Sequence, residues 1–170
     1  RLPHRQAAQR PGLTQALGGY MDILATGPWN FELNGENHIF PRVWEMAGAV
    51  HACLDLEHGR LSISHDDGPR PWWQRFLGLA PRYVSGFAAL EWADGFASLI
   101  FLDENWSEYR ALDEQFPVTP PEIVRIKIAH GEPSPHPPNE CMDKVRAFQA
   151  LQEALQTGVR PGWLSYRFVE

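Results

Sequence analysis

Residues 82–103 constrain the fold more than any other stretch of the chain. Two apolar runs, Arg82–Trp92 and Phe96–Asp103, flank Ala93-Asp94-Gly95, where glycine supplies the positive φ that a tight turn needs. Val84, Ala88, Leu90 and Trp92 alternate onto one face of the first run, with Tyr83 and Phe87 on the other. A strand that is apolar on both faces is buried on both, so this hairpin belongs in the middle of a sheet.

Further strands can be read around it. Trp29–Leu33 alternates apolar and polar residues and meets Asn34-Gly35, a hairpin turn signal. Pro41 opens a short helical stretch with Val43, Met46, Ala47 and Val50 at helical spacing. Val50–Glu57 reads as a strand, with Val50, Ala52, Leu54 and Leu56 on one face. A turn at His58-Gly59 joins it to Arg60–His65, so that Leu56 stands opposite Leu61 and the apolar faces coincide. Residues 66–81 read as a loop with a short helix around Trp72–Leu77. Glu122–His130 reads as a strand, with Val124, Ile126 and Ile128 on one face and Ile123, Arg125 and Lys127 on the other. Gly131–Pro138 holds four prolines and reads as a loop. Asn139 then caps a helix reaching Thr157, striped by Met142, Val145, Phe148, Leu151 and Leu155, with Gly158 as its stop. Trp163–Val169 reads as a last strand. The order predicts an α+β fold: a mostly antiparallel sheet covered on one face by a long C-terminal helix.

A chain of 170 residues makes about one domain and buries enough surface to need no metal or disulfide. Fifteen prolines predict many short elements, and seven tryptophans exceed what a core of this size needs. Residues 1–20 carry Arg1, Arg5 and Arg10, no acid and no apolar signal core. They are expected to be a flexible leader or a non-native extension, with 21–170 forming the domain. Cys53 and Cys141 form no CxxC pair and are expected to be buried free thiols, which suits a reducing, cytoplasmic setting. No apolar run approaches the ~20 residues of a membrane span, so no membrane partner is expected. A net charge of −6 disfavours nucleic acid as a direct partner.

No phosphate loop, GxSxG elbow, HExxH pair or zinc-ligand spacing occurs. His51, His58 and His65 lie on different sides of the hairpin read above and cannot converge on a metal. His130, His136 and Cys141 have no zinc-knuckle spacing. Neither metal nor cofactor is expected. Asp66-Asp67 and Asp103-Glu104 are paired carboxylates by type, and an Asp66/Asp67/His65 cluster is the alternative an enzyme would use. Trp72-Trp73, between Arg70 and Arg75, is either a contact surface or a clamp on the core.

The charge distribution is more informative. Glu91, Asp94, Asp103, Glu104, Glu108, Asp113 and Glu114 face a single base, Arg110, so this stretch carries −6, the whole chain's net charge. Trp92, Trp106, Tyr109 and Phe116 are interleaved. Acids of this kind steer a basic partner inward while aromatics supply anchor area; the alternative is a solvated loop whose aromatics fold into the core. Glu91, Asp94, Asp103, Glu104, Trp106, Glu108, Tyr109, Asp113 and Glu114 are therefore the candidate partner-binding residues.

Several segments carry a family resemblance. They are Gly86-Phe87 to Phe101, Val124–Ala129, Asn139-Glu140-Cys141 leading into Ala147-Phe148-Gln149-Ala150-Leu151, and Thr157-Gly158-Val159-Arg160-Pro161-Gly162-Trp163. Their order over residues 80–170 resembles the immunity proteins of bacterial polymorphic-toxin systems, in particular the group associated with deaminase toxins. The resemblance implies a non-catalytic inhibitor that binds a cognate, basic toxin domain and blocks its active site or substrate groove. A small enzyme, or a structural or phage-associated module that self-assembles, are the alternatives.

Overall fold

The computed structural model describes residues 28–115, 117–118, 124–126 and 134–169. Residues 1–20, Phe116 and most of Glu122–His130 lie outside the described residues. The Asn-Gly signal holds: β1 (Trp29–Leu33) and β2 (Glu36–Phe40) are joined by Asn34 and Gly35, with φ of 51° and 89°. A two-residue turn with both φ values positive matches the twist of the strands it joins. Helix α1 (Val43–Ala52) follows and passes into a 3₁₀ turn at Cys53–Asp55.

Val50–Glu57 is therefore not a strand. Met46, Val50 and Cys53 are buried at helical steps of four and three. Apart from Val50 the stretch has no β-branched residue, and packing this face resolves an ambiguous pattern toward helix. Strand β3 (Gly59–Pro69) pairs instead with β1 on one side and β4 (Arg82–Ala93) on the other, so Ile63 faces both Phe31 and Ala88. A short helix, α2 (Trp72–Phe76), interrupts the β3–β4 connection.

Strand β4 turns through Asp94 and Gly95 (φ 53° and 82°) into β5 (Phe96–Leu102). Its register with β3 slips at two points, between Asp66 and Gly68 and between Ile63 and Ser64; at the second, Ile63 pairs with Ala88 but Ser64 with Gly86, leaving Phe87 as a bulge. The bulge brings Phe87 to the core face, where its ring meets Trp29 at 5.6 Å and Phe101 at 6.3 Å. Strict alternation had placed it opposite. Strand β6 (Glu108–Leu112) pairs with the distal half of β5, and two-residue β9 (Met142–Asp143) with the proximal half. Strand β10 (Ser165–Val169) closes the edge against β6. The antiparallel sheet runs β10-β6-β5-β4-β3-β1-β2, with the 82–102 hairpin at its centre.

Two corrections concern the proline-rich segment. Ser134–His136 is not loop but β8, which pairs with β7 (Val124–Ile126) in a small separate ribbon. A two-stranded ribbon leaves outward edges on which a proline lacking its N–H is tolerated. The C-terminal helix, α3, runs from Lys144 to Thr157 and is 14 residues long. Its cap is Asp143, whose carboxylate accepts the Arg146 amide at 3.1 Å; Asn139 sits in a preceding 3₁₀ turn. Met142 is buried from β9 and Val145 is exposed, while Ala147, Ala150 and Ala154 join Phe148, Leu151 and Leu155 on the buried side. Gly158 ends the helix at φ 71°.

The core lies between the sheet and α1 with α3. Trp92 and Phe148 meet edge to face at 5.1 Å, and the Trp92 indole donates to the Leu56 carbonyl at 3.0 Å. Lys144 Nζ donates to the carbonyls of Leu54 and Leu56, each at 2.7 Å, tying α3 to the turn after α1. Among the described residues no helix is long and apolar enough to cross a membrane.

Candidate functional site

The acidic stretch is divided between two ends of the sheet, because β5 and β6 run in opposite directions. At one end, the β5–β6 connection is organised by Asp103. Its carboxylate accepts the amides of Asn105 (2.8 Å) and Ser107 (2.9 Å), and these two hydrogen bonds, the Ser107 one foremost, hold the carboxyl below its usual range. The Trp106 amide donates to the Asp103 carbonyl at 3.0 Å. Trp106 is thereby held at φ 63°, a conformation that a bulky side chain adopts only when its surroundings impose it. Its ring lies over Gly86, where a Cβ would stand 2.9 Å from the ring, yet the side chain stays 53% exposed. Glu104 and Glu108 flank it, both exposed. Asn105, Trp106, Ser107, Glu108, Phe168 and Val169 line an open groove of about 380 Å³.

The other candidates are elsewhere. Asp94 is in the β4–β5 turn at the opposite end. Asp113 is buried and ion-paired with Arg146, whose guanidinium lies 4.5 Å from the Trp163 ring centroid. Glu114 accepts the Ser165 hydroxyl at 2.8 Å. Tyr109 is half-buried between Phe168 and the Arg160 guanidinium, at 5.7 and 4.2 Å.

Glu91 points to the face of the sheet away from α3. It takes a hydrogen bond from His136 at 2.7 Å and pairs with Arg60 at 3.3 Å. The His136 bond holds the Glu91 carboxyl below its usual range against the opposing effect of burial. These three side chains, with Ala89, Ser98, Ile100, Leu102 and Glu108, line a cavity of about 270 Å³ that meets the groove at Glu108. Next to it Glu140 binds both Arg110 and Arg167.

The Asp66/Asp67/His65 cluster exists, but its carboxylates serve separate ties. Asp66 pairs with Arg82 and accepts the Gly68 amide at 2.9 Å; Arg82 is the main reason its carboxyl sits below the usual range. Asp67 binds His65 Nδ1 at 2.7 Å and the Ser85 hydroxyl. Ser85 is thus bonded to the carboxylate rather than to the imidazole, which is not the order a nucleophile and its base require. His65 is buried with its ring 5.0 Å from that of Trp29. His51, on α1, meets Gln152 at 3.1 Å, remote in character from His65 on its strand. Among the described residues no three His, Cys, Asp or Glu side chains are placed to hold a metal. Both thiols are buried; burial pushes Cys53 up to about 11 and raises Cys141.

Phe168, Gly86 and Arg60 complete these sites and were not singled out from sequence as site residues, and His136 was weighed only with His130 and Cys141 as a metal ligand. His136 is 45 residues from Glu91, and no local signal links them. Comparison with protein-family models and with curated proteins finds no match to this chain.

Proposed function

We propose that this chain is an immunity protein: a non-catalytic inhibitor that binds a basic bacterial toxin domain and blocks its active site or substrate groove. The observation that carries the reading is Trp106, half exposed at positive φ and ringed by Asp103, Glu104 and Glu108. An exposed aromatic anchor inside an acidic rim suits capture of a basic protein surface: the rim speeds encounter and the anchor resists dissociation. Phe168 and the adjoining groove extend the apolar contact. The ion pairs that engage half-buried Glu91 and buried Asp113 narrow the binding residues proposed to Asp103, Glu104, Trp106 and Glu108. Such an inhibitor works in the cytoplasm of the toxin-producing cell, where Cys53 and Cys141 stay reduced.

The test is co-expression with the C-terminal domain of the adjacent upstream gene product, followed by growth counts and pull-down. Rescued growth with a stable complex is expected. Growth arrest without a complex would refute the reading.

A further inference from the structure

The β3–β4 hairpin extends beyond the rest of the sheet. Strand β1 pairs with β3 only as far as His65, and β5 pairs with β4 only from Ala88 onward. Beyond that, apart from the Asp66 amide, which donates to the Pro28 carbonyl at 3.1 Å, Asp66–Pro69 and Arg82–Val84 pair with each other, forming a ribbon about 10 Å long. Arg82 with Asp66, and the Tyr83 hydroxyl with Gln74 (2.7 Å), brace it.

The connection this ribbon carries is apolar and outward-facing. Phe76 is 86% exposed, Trp72 73%, Leu77 69%, Trp73 51% and Leu79 49%. A core clamp would bury such residues, so the clamp reading of Trp72-Trp73 fails. From Asp66 to Val84 the charges are Arg70, Arg75 and Arg82 against Asp66 and Asp67 at the ribbon's base, a local +1 in a chain of net −6, with only arginines in the connection itself. Arg82 is neutralised by Asp66, while Arg70 lies 4.2 Å from the Tyr83 ring centroid and Arg75 has no carboxylate partner among the described residues.

We propose that this tip docks on an anionic lipid bilayer, seating its aromatics at the headgroup boundary. Tryptophan rings favour that boundary, and a convex tip of Trp, Phe and Leu needs only a fluid interface rather than a preformed groove. Arg70 and Arg75 complement the negative headgroups, each arginine near such a surface strengthening attachment about fivefold. The expectation of no membrane partner rested on the lack of a span, which peripheral docking does not require. The proposal is independent of the inhibitor reading.

The test is co-sedimentation of the full chain with vesicles of equal phosphatidylglycerol and phosphatidylcholine, and with phosphatidylcholine alone. Binding to the anionic vesicles, weakened by salt, is expected. Trp72→Ser with Phe76→Ser should abolish it, and Arg75→Glu should weaken it by at least about fivefold. Trp44→Ser, which alters an exposed tryptophan off the finger, should leave it unchanged. Unchanged thermal midpoints would show that the variants are folded. No sedimentation, binding that survives the Trp72/Phe76 change, or a tip-dependent protein complex without vesicle binding would each overturn the proposal.

Discussion

Trp106 and Gly86 illustrate how single positions work here. A left-handed tryptophan is held by the Asp103 hydrogen bonds, and the missing side chain at Gly86 leaves room for its ring. Gly59 plays a stricter role. A Cβ there would lie 2.5 Å from the ring of Trp92, which is fully buried and cannot swing away. Gly59→Ala should destabilise the fold by about 1–3 kcal/mol in urea titration; an unchanged midpoint would mean that the Trp92 pocket yields. Glu91 sets a pH dependence. Its carboxyl titrates near 4.3 in an unfolded chain and lower in the folded one. The unfolded state therefore takes up the proton first as pH falls. The stabilisation is complete above about pH 5 and is lost as pH drops through the folded value. Glu91→Gln should flatten the acid limb of a stability–pH curve, and an identical limb in the variant would count against the pair.

At the scale of elements, the informative positions are the ends. Asp143 satisfies the Arg146 amide in the first turn of α3, so Asp143→Ala should cost about 1 kcal/mol, read from the urea midpoint. The same residue pairs with Phe96 through β9, which fixes where the helix leaves the sheet. Turns were legible beforehand: Asn34-Gly35 and Asp94-Gly95 take the positive φ values their residue types favour. The start of α3 was not, since Asn139 and Asp143 are both competent caps and only the β9 pairing selects between them. The stretch from Val50 carried both a helical and a strand pattern, and the burial of Met46, Val50 and Cys53 decided it.

For the whole molecule, exposed aromatics accompany charge of one sign on one segment and of the other sign on another. The acidic Trp106 loop and the cationic aromatic finger share one end of the sheet, the finger reaching beyond the loop. If the acidic rim receives a basic partner, Glu104→Lys with Glu108→Lys should slow association by about tenfold or more at low salt and change dissociation little. Stopped-flow mixing with the toxin domain reads both rates; an unaffected association rate would place the partner elsewhere. By itself, the sequence determined the strand-rich α+β class, the central hairpin, the two tight turns and the helix stop at Gly158, all set by residues a few positions apart. The tertiary structure decided which acids remain exposed. Glu91 is claimed by His136 and Arg60, and Asp113 by Arg146, across separations of 45, 31 and 33 residues. Such pairings depend on how strands are ordered in the sheet, and that order is selected by burial of the whole core rather than by any local pattern.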